Sequence, residues 1–427
     1  MSKHIDGCEC NSRRDFLKTS AAALGAGVAL PTFLQETNLA FAANAVADVQ
    51  QGHPERIMVV LEMTGGNDGL NTVVPYRNDE YYKVRPTLGI PADEVIKLDD
   101  EFGFHPVLLG FEKLYKDGNM AIVHGCSYPN PTRSHFESMR FWHTGVPNAA
   151  EKYGWVGRVA DARDPAGSDN YIVNIASTQA RAVVSEKHAA IVFNDPDRFI
   201  REGSPGQVDV FHELVRQREL SGNSNLDFVR SIGTVAESSS EFIRNACAEF
   251  KSNANYGYGQ IGPPLQRIAA QIEADSPARI YYTSFGSFDT HAGQGYAQEE
   301  LFRRLGDALL GFFTDLEAIG KSDRVSVMMF SEFGRRVAEN ASLGTDHGVA
   351  GPMFILGKGV KGGIYGEHPS LTDLDMAEGA GGMGGDLKMT TDFRHVYATM
   401  IKEWMGVDDT KSILKADFPT LGVFESA

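Results

Sequence analysis

Apolar residues fall into short continuous runs, separated by polar and glycine-rich turns. The run from Ile57 to Met63 ends at the turn 64–69. An apolar run of this length, interrupted only by Glu62, predicts a strand that is buried on both faces, so we predict that it is the first central strand. Further strands are predicted at 119–123, 171–175, 189–193, 279–285, 324–330 and 352–356.

Amphipathic helices are predicted between these strands. Apolar residues recur at helical spacing over 106–116, 296–319 and 392–405. Alternation of strands and helices predicts an α/β fold with a doubly wound, mostly parallel sheet and helices on both faces. The segment 208–273 is polar, helical in period and poor in strand signals, and we interpret it as a helical insertion.

The N-terminus carries an export pattern. Arg13 and Arg14 precede an apolar stretch over 21–34, which the small-residue cleavage site Ala40 to Ala42 follows. This order predicts a twin-arginine signal peptide over residues 1–42, so the Tat translocase is an expected partner and the location is periplasmic or secreted. The apolar stretch is too short and too rich in Ala and Gly to form a stable membrane span.

The predicted mature chain, residues 43–427, carries the whole formal net charge of −16, because residues 1–42 hold four basic and four acidic residues. This acidity argues against a nucleic-acid partner. Its two cysteines, Cys126 and Cys247, could pair in an oxidising compartment. We expect these residues to form one α/β domain with the helical insertion.

Polar residues follow the first predicted strand. Gly65 to Gly69, G-G-N-D-G, places Asp68 at the turn where ligands of open α/β sheets usually bind. A metal-binding carboxylate is one interpretation. An ordinary turn residue is the other, because Asn and Asp are common beside Gly.

A hydroxyl pair precedes a predicted helix that starts near Phe136. Ser134 or Thr132 could act as a nucleophile there, since a helix N-terminus favours bound anions. The alternative is that one of them only caps the helix, which is the commoner outcome.

Acidic residues and histidines cluster in three groups over a stretch of 59 residues. Two groups come just after predicted strands and the third lies between strands, so we predict one shared metal site. Carboxylate and imidazole ligands suit a divalent ion such as zinc, manganese, magnesium or calcium. The candidate ligands are Asp289, His291, Glu332, Asp346 and His347, and Arg335 is the candidate for gripping an anionic substrate oxygen.

The other histidines carry no partner pattern, so we interpret His105, His124, His143, His188 and His395 as structural. His368 is a weaker candidate for the rim of the cleft. No G-x-S-x-G, G-x-G-x-x-G or H-E-x-x-H motif occurs in the sequence, which argues against common serine hydrolases, nucleotide enzymes and zinc proteases.

The motifs together resemble an exported bacterial family called domain of unknown function 1501. They are G-G-N-D-G, R-S-H-F-E, F-D-T-H, S-E-F-G-R, G-T-D-H-G, V-K-G-G-I-Y-G and T-D-F-R, in that order along nearly the whole chain. The family is similar to a branch of the alkaline phosphatase and sulfatase superfamily. This resemblance implies a doubly wound sheet with a one-metal or two-metal site at its carboxyl edge.

The superfamily resemblance also implies roles for individual residues. Asp68 matches the acid ligand after the first strand, and the four residues Asp289, His291, Asp346 and His347 match later ligands. Glu332 and Phe333 stand where an Asp-His pair is common, so one imidazole ligand is missing.

The nucleophile does not follow directly from the resemblance. The segment 134–145 resembles the alkaline phosphatase nucleophile helix, but counting back from Gly145 places His135, not Ser134, at the nucleophile position. Thr132 and a metal-bound water are the remaining alternatives.

The resulting hypothesis is a periplasmic metal-dependent hydrolase of phosphate or sulfate esters, with a small-molecule or glycan ester as substrate. In it, Ser134 attacks and Arg335 steadies the oxyanion. The rival hypothesis is a non-catalytic exported protein of the same fold that binds a glycan, a cation or a partner protein.

Overall fold

The computed structural model describes residues 55–199, 224–375 and 385–424, together with Val210 and Glu213. All of them belong to the compact unit Val49–Ala427. The predicted signal peptide, residues 1–42, lies outside the described residues.

A nine-stranded sheet forms the centre of the described chain. Two smaller sheets, of three and two strands, lie outside it. In chain order the strands are β1 Ile57–Met63, β2 Val73–Val74, β3 Ile96–Lys97, β4 Gly103–Phe104, β5 Met120–Ser127, β6 Ile172–Ile175, β7 Ile191–Phe193, β8 Ile280–Phe285, β9 Val325–Phe330, β10 Gly351–Leu356, β11 Gly363–Tyr365, β12 Leu374–Asp375, β13 Asp386–Leu387 and β14 Thr391–Asp392.

The large sheet has the order β11-β5-β10-β9-β1-β8-β6-β7, with β14 beside β5. Its pairs are parallel except those of β10, which runs antiparallel to both β5 and β9. The predicted mostly parallel sheet is therefore confirmed. The direction of β10 is an addition that the sequence pattern did not predict.

Helices and a few helical turns connect the strands. The α-helices are α1 Gly69–Thr72, α2 Asp79–Val84, α3 Leu109–Lys116, α4 His135–Thr144, α5 Trp155–Arg163, α6 Ser224–Glu249, α7 Gly262–Glu273, α8 Gln294–Ala318, α9 Phe393–Thr399 and α10 Thr410–Leu414. A π-helix, Met400–Trp404, continues α9, so the predicted helix over 392–405 changes its hydrogen-bonding pattern half-way. No described helix is long and apolar enough to cross a membrane.

Two apolar cores lie on opposite faces of the sheet. Successive side chains of β1 point to opposite faces, and both faces are buried: Val59 and Leu61 join one core, Met58 and Val60 the other. Helices α3, α7 and α8 contribute to the first core, and α4, α5 and α9 to the second. Helices therefore cover both faces, which confirms the doubly wound α/β fold and explains why the run 57–63 is apolar on both faces apart from Glu62.

The predicted helical insertion, 208–273, is described only in part. The described part contains α6 and α7, and α7 buries Leu265 and Ile268 in the first core. Since α7 helps to cover the sheet, the segment contributes to the main core. Its status as an insertion stays a prediction.

The two mature cysteines are free in the structure. Cys126 is buried in the second core, whereas Cys247 packs against the first. The sheet separates the two thiols, so this fold does not pair them.

Candidate metal centre

Three loops and one helix meet at the carboxyl edge of the sheet. β1 lies between β8 and β9 and is parallel to both, so the loops after these three strands are neighbours. The turn after β1 approaches the next loop closely: a Cβ on Gly65, whose φ is +118°, would lie 2.4 Å from the backbone nitrogen of Asp289. Only glycine permits that backbone conformation and that approach. Helix α4 begins at the same edge with His135.

Three imidazoles direct their Nε2 atoms at one carboxylate. The Nε2 atoms of His347, His291 and His135 lie 2.9, 3.1 and 3.5 Å from the carboxylate oxygens of Asp289. His291 Nε2 also lies 3.0 Å from His347 Nε2. The candidate ligand atoms of His135, Asp289 and His347 all lie within 4.8 Å of one another.

The second ring nitrogen of each imidazole contacts an oxygen outside the cluster. These oxygens come from two carboxylates and one backbone carbonyl, which only accept hydrogen bonds unless a carboxyl is protonated. The contacts are His135 Nδ1 to Glu332 Oε1 at 2.8 Å, His291 Nδ1 to Asp346 Oδ1 at 3.2 Å, and His347 Nδ1 to the Arg133 carbonyl at 3.0 Å.

These contacts determine what the cluster can bind. A neutral imidazole that donates from Nδ1 has a lone pair at Nε2, so three lone pairs and a carboxylate face one another. Four acceptors at this spacing repel unless a proton or a cation lies among them. The donor set therefore fits a divalent metal, and nitrogen ligands with one carboxylate suit zinc or a similar ion. Outer hydrogen bonds of this kind orient the histidines in metal sites.

Charges around the cluster keep Asp289 ionised. Burial alone would raise its pKa, but the contacts with the Arg335 guanidinium and the His347 imidazole outweigh burial and lower the pKa to about 2. The pKa of His347 is lowered, mainly by burial. A negative Asp289 beside a neutral His347 is the ligand state that a metal requires.

Glu332 holds His135 in position. Its carboxylate accepts hydrogen bonds from the backbone nitrogens of Gly65 at 2.8 Å and Gly66 at 3.2 Å, and from Ser331 Oγ at 3.1 Å. The side chain is only 2% exposed. The hydrogen bond to Glu332 is the main cause that raises the pKa of His135. Glu332 is therefore fixed by the turn after β1 and in turn fixes the imidazole.

The cluster lies at a cleft of about 660 Å³. The side chain of Asp289 is 45% exposed, so a ligand can reach it from solvent. The cleft residues combine acids, bases, two arginines and apolar side chains. They are Glu62, Thr64, Gly65, His135, Phe136, Met139, Arg140, His143, Arg181, Ser287, Asp289 and Glu332.

Comparison with known protein families gives a match over most of the chain. The family described as "Protein of unknown function (DUF1501)" matches residues 55–416, and a twin-arginine translocation signal matches residues 10–31. The chain belongs to the DUF1501 family. Its signal directs it to twin-arginine export, so the DUF1501 protein is periplasmic or secreted. No curated protein matches it in sequence.

Solved structures that resemble this DUF1501 protein include a sulfatase, an alkaline phosphatase and a protein of the alkaline phosphatase superfamily. A sulfatase from Pseudoalteromonas sp. is 10% identical, with 93% of this chain and 78% of that chain covered and a TM-score of 0.34. An alkaline phosphatase from the Antarctic bacterium TAB5 is 12% identical, with 74% and 95% covered and a TM-score of 0.30. An alkaline phosphatase superfamily protein from Vibrio parahaemolyticus is 8% identical, with 78% and 70% covered and a TM-score of 0.31.

The structure brings three predicted ligands of the DUF1501 protein together, namely Asp289, His291 and His347. Asp346 contacts the cluster through His291. Its carboxylate lies beside His291 Nδ1 and accepts a hydrogen bond from Asn340 Nδ2 at 3.1 Å. Its pKa is lowered because these two hydrogen bonds outweigh burial, which alone would raise it. Asp346 and Glu332 thus contact the ring nitrogens that face away from the cluster.

Asp68 is not placed at the cluster. Its buried carboxylate accepts from both terminal nitrogens of Arg85, at 2.6 and 3.0 Å, and from Gln294 Nε2 at 2.5 Å. The side chains of Arg85 and Asp68 are 0% and 1% exposed. A carboxylate bound by this arginine is a structural ion pair, so the expected ligand role does not fit its position.

Arg335 is also displaced from its expected role. Its guanidinium is fully buried and donates to the carbonyls of Gly66, Thr345 and Phe288, at 2.7, 2.7 and 3.0 Å, and to the Gly65 carbonyl. Its one carboxylate partner is Asp289, at 2.7 Å. Arg335 therefore joins the loops and orients Asp289, and its full burial keeps the guanidinium away from a substrate oxyanion.

Ser134 stands at the N-cap of α4 and is exposed, but its side chain makes no capping hydrogen bond. It does not line the cleft, whereas the next residue, His135, does. Thr132 Oγ1 accepts from Ser134 N at 3.2 Å, as in a local turn. Neither Ser134 nor Thr132 lines the cleft that contains His135 and Asp289.

The variant Ser134→Ala is therefore expected to keep the wild-type rate and metal content. The measurement is kcat/KM for an activated ester together with metal stoichiometry. A loss of about 10⁴-fold or more would identify Ser134 as a nucleophile and contradict this placement, because removing a serine nucleophile costs at least that much.

His135 was not among the candidate metal ligands predicted from the sequence, although the structure places it in the cluster. The imidazole that Glu332-Phe333 fails to supply comes instead from the start of α4. The signal in the sequence was the count back from Gly145, which placed His135 at the nucleophile position of the resembling helix. Arg181, one of the two arginines of the cleft, was not assigned a role either.

Proposed function

We propose that the protein is an exported metal-dependent hydrolase of phosphate or sulfate esters. The observation that carries this proposal is the convergence of three imidazole Nε2 atoms on Asp289, each with its Nδ1 held by an outer acceptor. The metal ligands would be His135, Asp289, His291 and His347.

The ligand set favours ester hydrolysis over a purely structural metal. A divalent ion held there would lower the pKa of water at the site and offset negative charge on the ester oxygens. The residues of this chain provide solvent access and ligand positions: Asp289 is open to solvent, Glu332 positions His135, and Arg335 orients Asp289. A structural metal site is normally closed to solvent.

Two cleft arginines support an anionic substrate. Arg140 and Arg181 line the cleft that contains His135 and Asp289. Because the chain is acidic overall, with a net charge of −16, cations in this cleft offer an anion a local attractive field. We infer that they bind the phosphate or sulfate group or a second charge on the same substrate.

The direct test is hydrolysis of p-nitrophenyl phosphate and p-nitrophenyl sulfate by the purified mature protein. Each assay is run after chelation and again after addition of zinc, manganese, magnesium or calcium. We expect hydrolysis of one ester that chelation abolishes and one of these ions restores. Bound metal without hydrolysis would favour the rival hypothesis, a protein that binds a glycan, a cation or a partner protein.

Glu332→Gln is expected to weaken zinc binding about 10- to 100-fold, as loss of an outer partner of a metal-bound histidine usually does. The substitution keeps the size of the side chain but removes its charge. The measurement is the zinc dissociation constant by competition with a chelator. Glu339→Gln is a matched control, because this carboxylate also accepts from two backbone nitrogens, those of Thr87 at 3.0 Å and Leu88 at 2.7 Å. Equal affinities in both variants and the wild type would contradict the role of Glu332.

A further inference from the structure

A second polar cluster lies in the same cleft, formed by Glu62, His143 and Tyr282. His143 Nε2 lies 2.7 Å from Glu62 Oε2, and the Tyr282 hydroxyl lies 3.1 Å from His143 Nε2. The Tyr282 hydroxyl also donates to Glu62 Oε2. The metal centre uses none of these residues.

Glu62 is a buried carboxylate in the central strand. It lies near the carboxyl end of β1, and its side chain is 6% exposed. A carboxylate at such a position requires compensating hydrogen bonds, which Tyr282 and His143 supply. Burial, followed by the charge of Glu62, raises the pKa of Tyr282 well above its usual value, so Tyr282 stays a hydrogen-bond donor.

The two ring nitrogens of His143 differ: Nε2 contacts Glu62, whereas Nδ1 makes no hydrogen bond within the described chain. Within the described chain, its Nδ1 has no hydrogen-bond partner and is not among the buried unsatisfied atoms, while the residue lines the cleft. A histidine that is oriented by a carboxylate at one nitrogen and open at the other is arranged like a general acid or base.

Helix α4 connects this histidine to the metal centre. His135, Met139 and His143 are spaced by four residues, so they lie on one face of the helix, and all three line the cleft. Glu62 and Phe330 are register partners in β1 and β9, and Glu332 follows Phe330 by two residues. Two carboxylate–histidine pairs, Glu332–His135 and Glu62–His143, therefore stand beside one another along the cleft.

We propose that His143 is a catalytic acid that protonates the leaving group of the ester, and that Glu62 is its positioning residue. This inference rests on the proposed hydrolase function and deepens it, because it defines the substrates as esters whose alcohol needs protonation in order to leave. Alkyl and sugar esters belong to this class, whereas nitrophenyl esters do not.

The proton transfers of this step balance. As the bond between phosphorus or sulfur and the leaving oxygen breaks, its electron pair stays on that oxygen, which takes the proton from His143 Nδ1. His143 is then neutral, with its remaining proton on Nε2 toward Glu62. Water supplies the oxygen that replaces the leaving group, and a proton from this water returns the imidazole to its acidic form.

The experiment compares two esters in three proteins: wild type, His143→Gln and Glu62→Gln. Gln at 143 can still reach Glu62 with its amide but carries no acidic nitrogen. The esters are n-propyl and p-nitrophenyl phosphate, with the corresponding sulfates as a second pair. We expect both variants to lower kcat/KM for the propyl ester by about 10²- to 10³-fold and for the nitrophenyl ester by less than about threefold, since a general acid matters only for a poor leaving group.

Metal content and a control variant separate the possible outcomes. Both variants are expected to keep wild-type metal stoichiometry, and His395→Gln, which changes a histidine outside the cleft, is expected to affect neither ester. Equal losses for the two esters, or no loss for either, would overturn the inference while leaving the hydrolase function intact. A metal-loaded wild type that hydrolyses neither ester would overturn the proposed function and this inference together.

Discussion

The mature double variant His291→Ala, His347→Ala is expected to lose stoichiometric metal and all metal-dependent hydrolysis. Two of the four proposed ligands disappear, and the remaining pair, His135 and Asp289, cannot hold a divalent ion in competition with buffer. The measurement is elemental analysis of wild type and variant, purified in parallel and dialysed against the same metal-containing buffer.

A matched double variant, His188→Ala, His395→Ala, controls for the loss of two histidines. His188 contacts Asp161 and Asp164 at 3.2 and 3.1 Å, and the His395 ring packs against Phe418 at a tilted angle, so neither histidine belongs to the metal centre. This control is expected to keep its metal. Equal metal content in all three proteins would show that the ion binds elsewhere.

Asp68→Ala is expected to lower the free energy of unfolding by about 3–5 kcal/mol, the usual cost of leaving one buried charge unpaired. The Arg85 guanidinium would lose a carboxylate that binds two of its nitrogens and would keep Asn71 Oδ1 and the Val337 carbonyl, at 2.7 and 2.8 Å. The measurement is urea unfolding of the mature protein. The folded variant is expected to retain its metal.

The double variant Asp68→Ala, Arg85→Ala separates the ion pair from packing. Removing both charges is expected to cost less than the sum of the two single losses, because residues in contact are coupled. Additive losses would contradict a structural ion pair. Loss of metal from folded Asp68→Ala would instead restore Asp68 as a ligand.

The sheet was largely predictable because its central strands are mostly apolar runs, with single polar residues such as Glu62 and Ser326. Ile57–Met63 and Val325–Phe330 match their predicted positions closely, since both faces of each strand are buried. The reach of Met120–Ser127 beyond residue 123 was not predictable, because His124, Gly125 and Ser127 are not apolar. The direction of Gly351–Leu356 depends on which neighbours it pairs with, and local pattern does not contain that information.

The sequence indicated which loops form the site, but it did not indicate all the side-chain contacts made there. Strand ends placed Asp289 and His291 correctly at the carboxyl edge. Glu332 was expected to face the metal, but the backbone nitrogens of Gly65 and Gly66 turn it toward His135. Such contacts span more than 190 residues of sequence, so a local motif cannot reveal them.

Burial explains the misplaced arginine. The S-E-F-G-R motif predicted a substrate-facing guanidinium, yet Arg335 is surrounded by carbonyls from three loops. The sequence shows only that a positive charge follows a strand. Whether that charge faces solvent or the protein interior depends on how the loops pack. The same limit applies to His143, whose carboxylate partner lies 81 residues earlier.

Zinc K-edge X-ray absorption of the zinc-loaded mature protein tests the central claim most directly. The predicted first shell contains three imidazole nitrogens at about 2.0–2.1 Å and one carboxylate oxygen at about 2.0–2.2 Å. His135→Ala is expected to reduce the imidazole count by one. A shell of oxygen atoms alone, or a spectrum that His135→Ala leaves unchanged, would contradict the proposed metal centre.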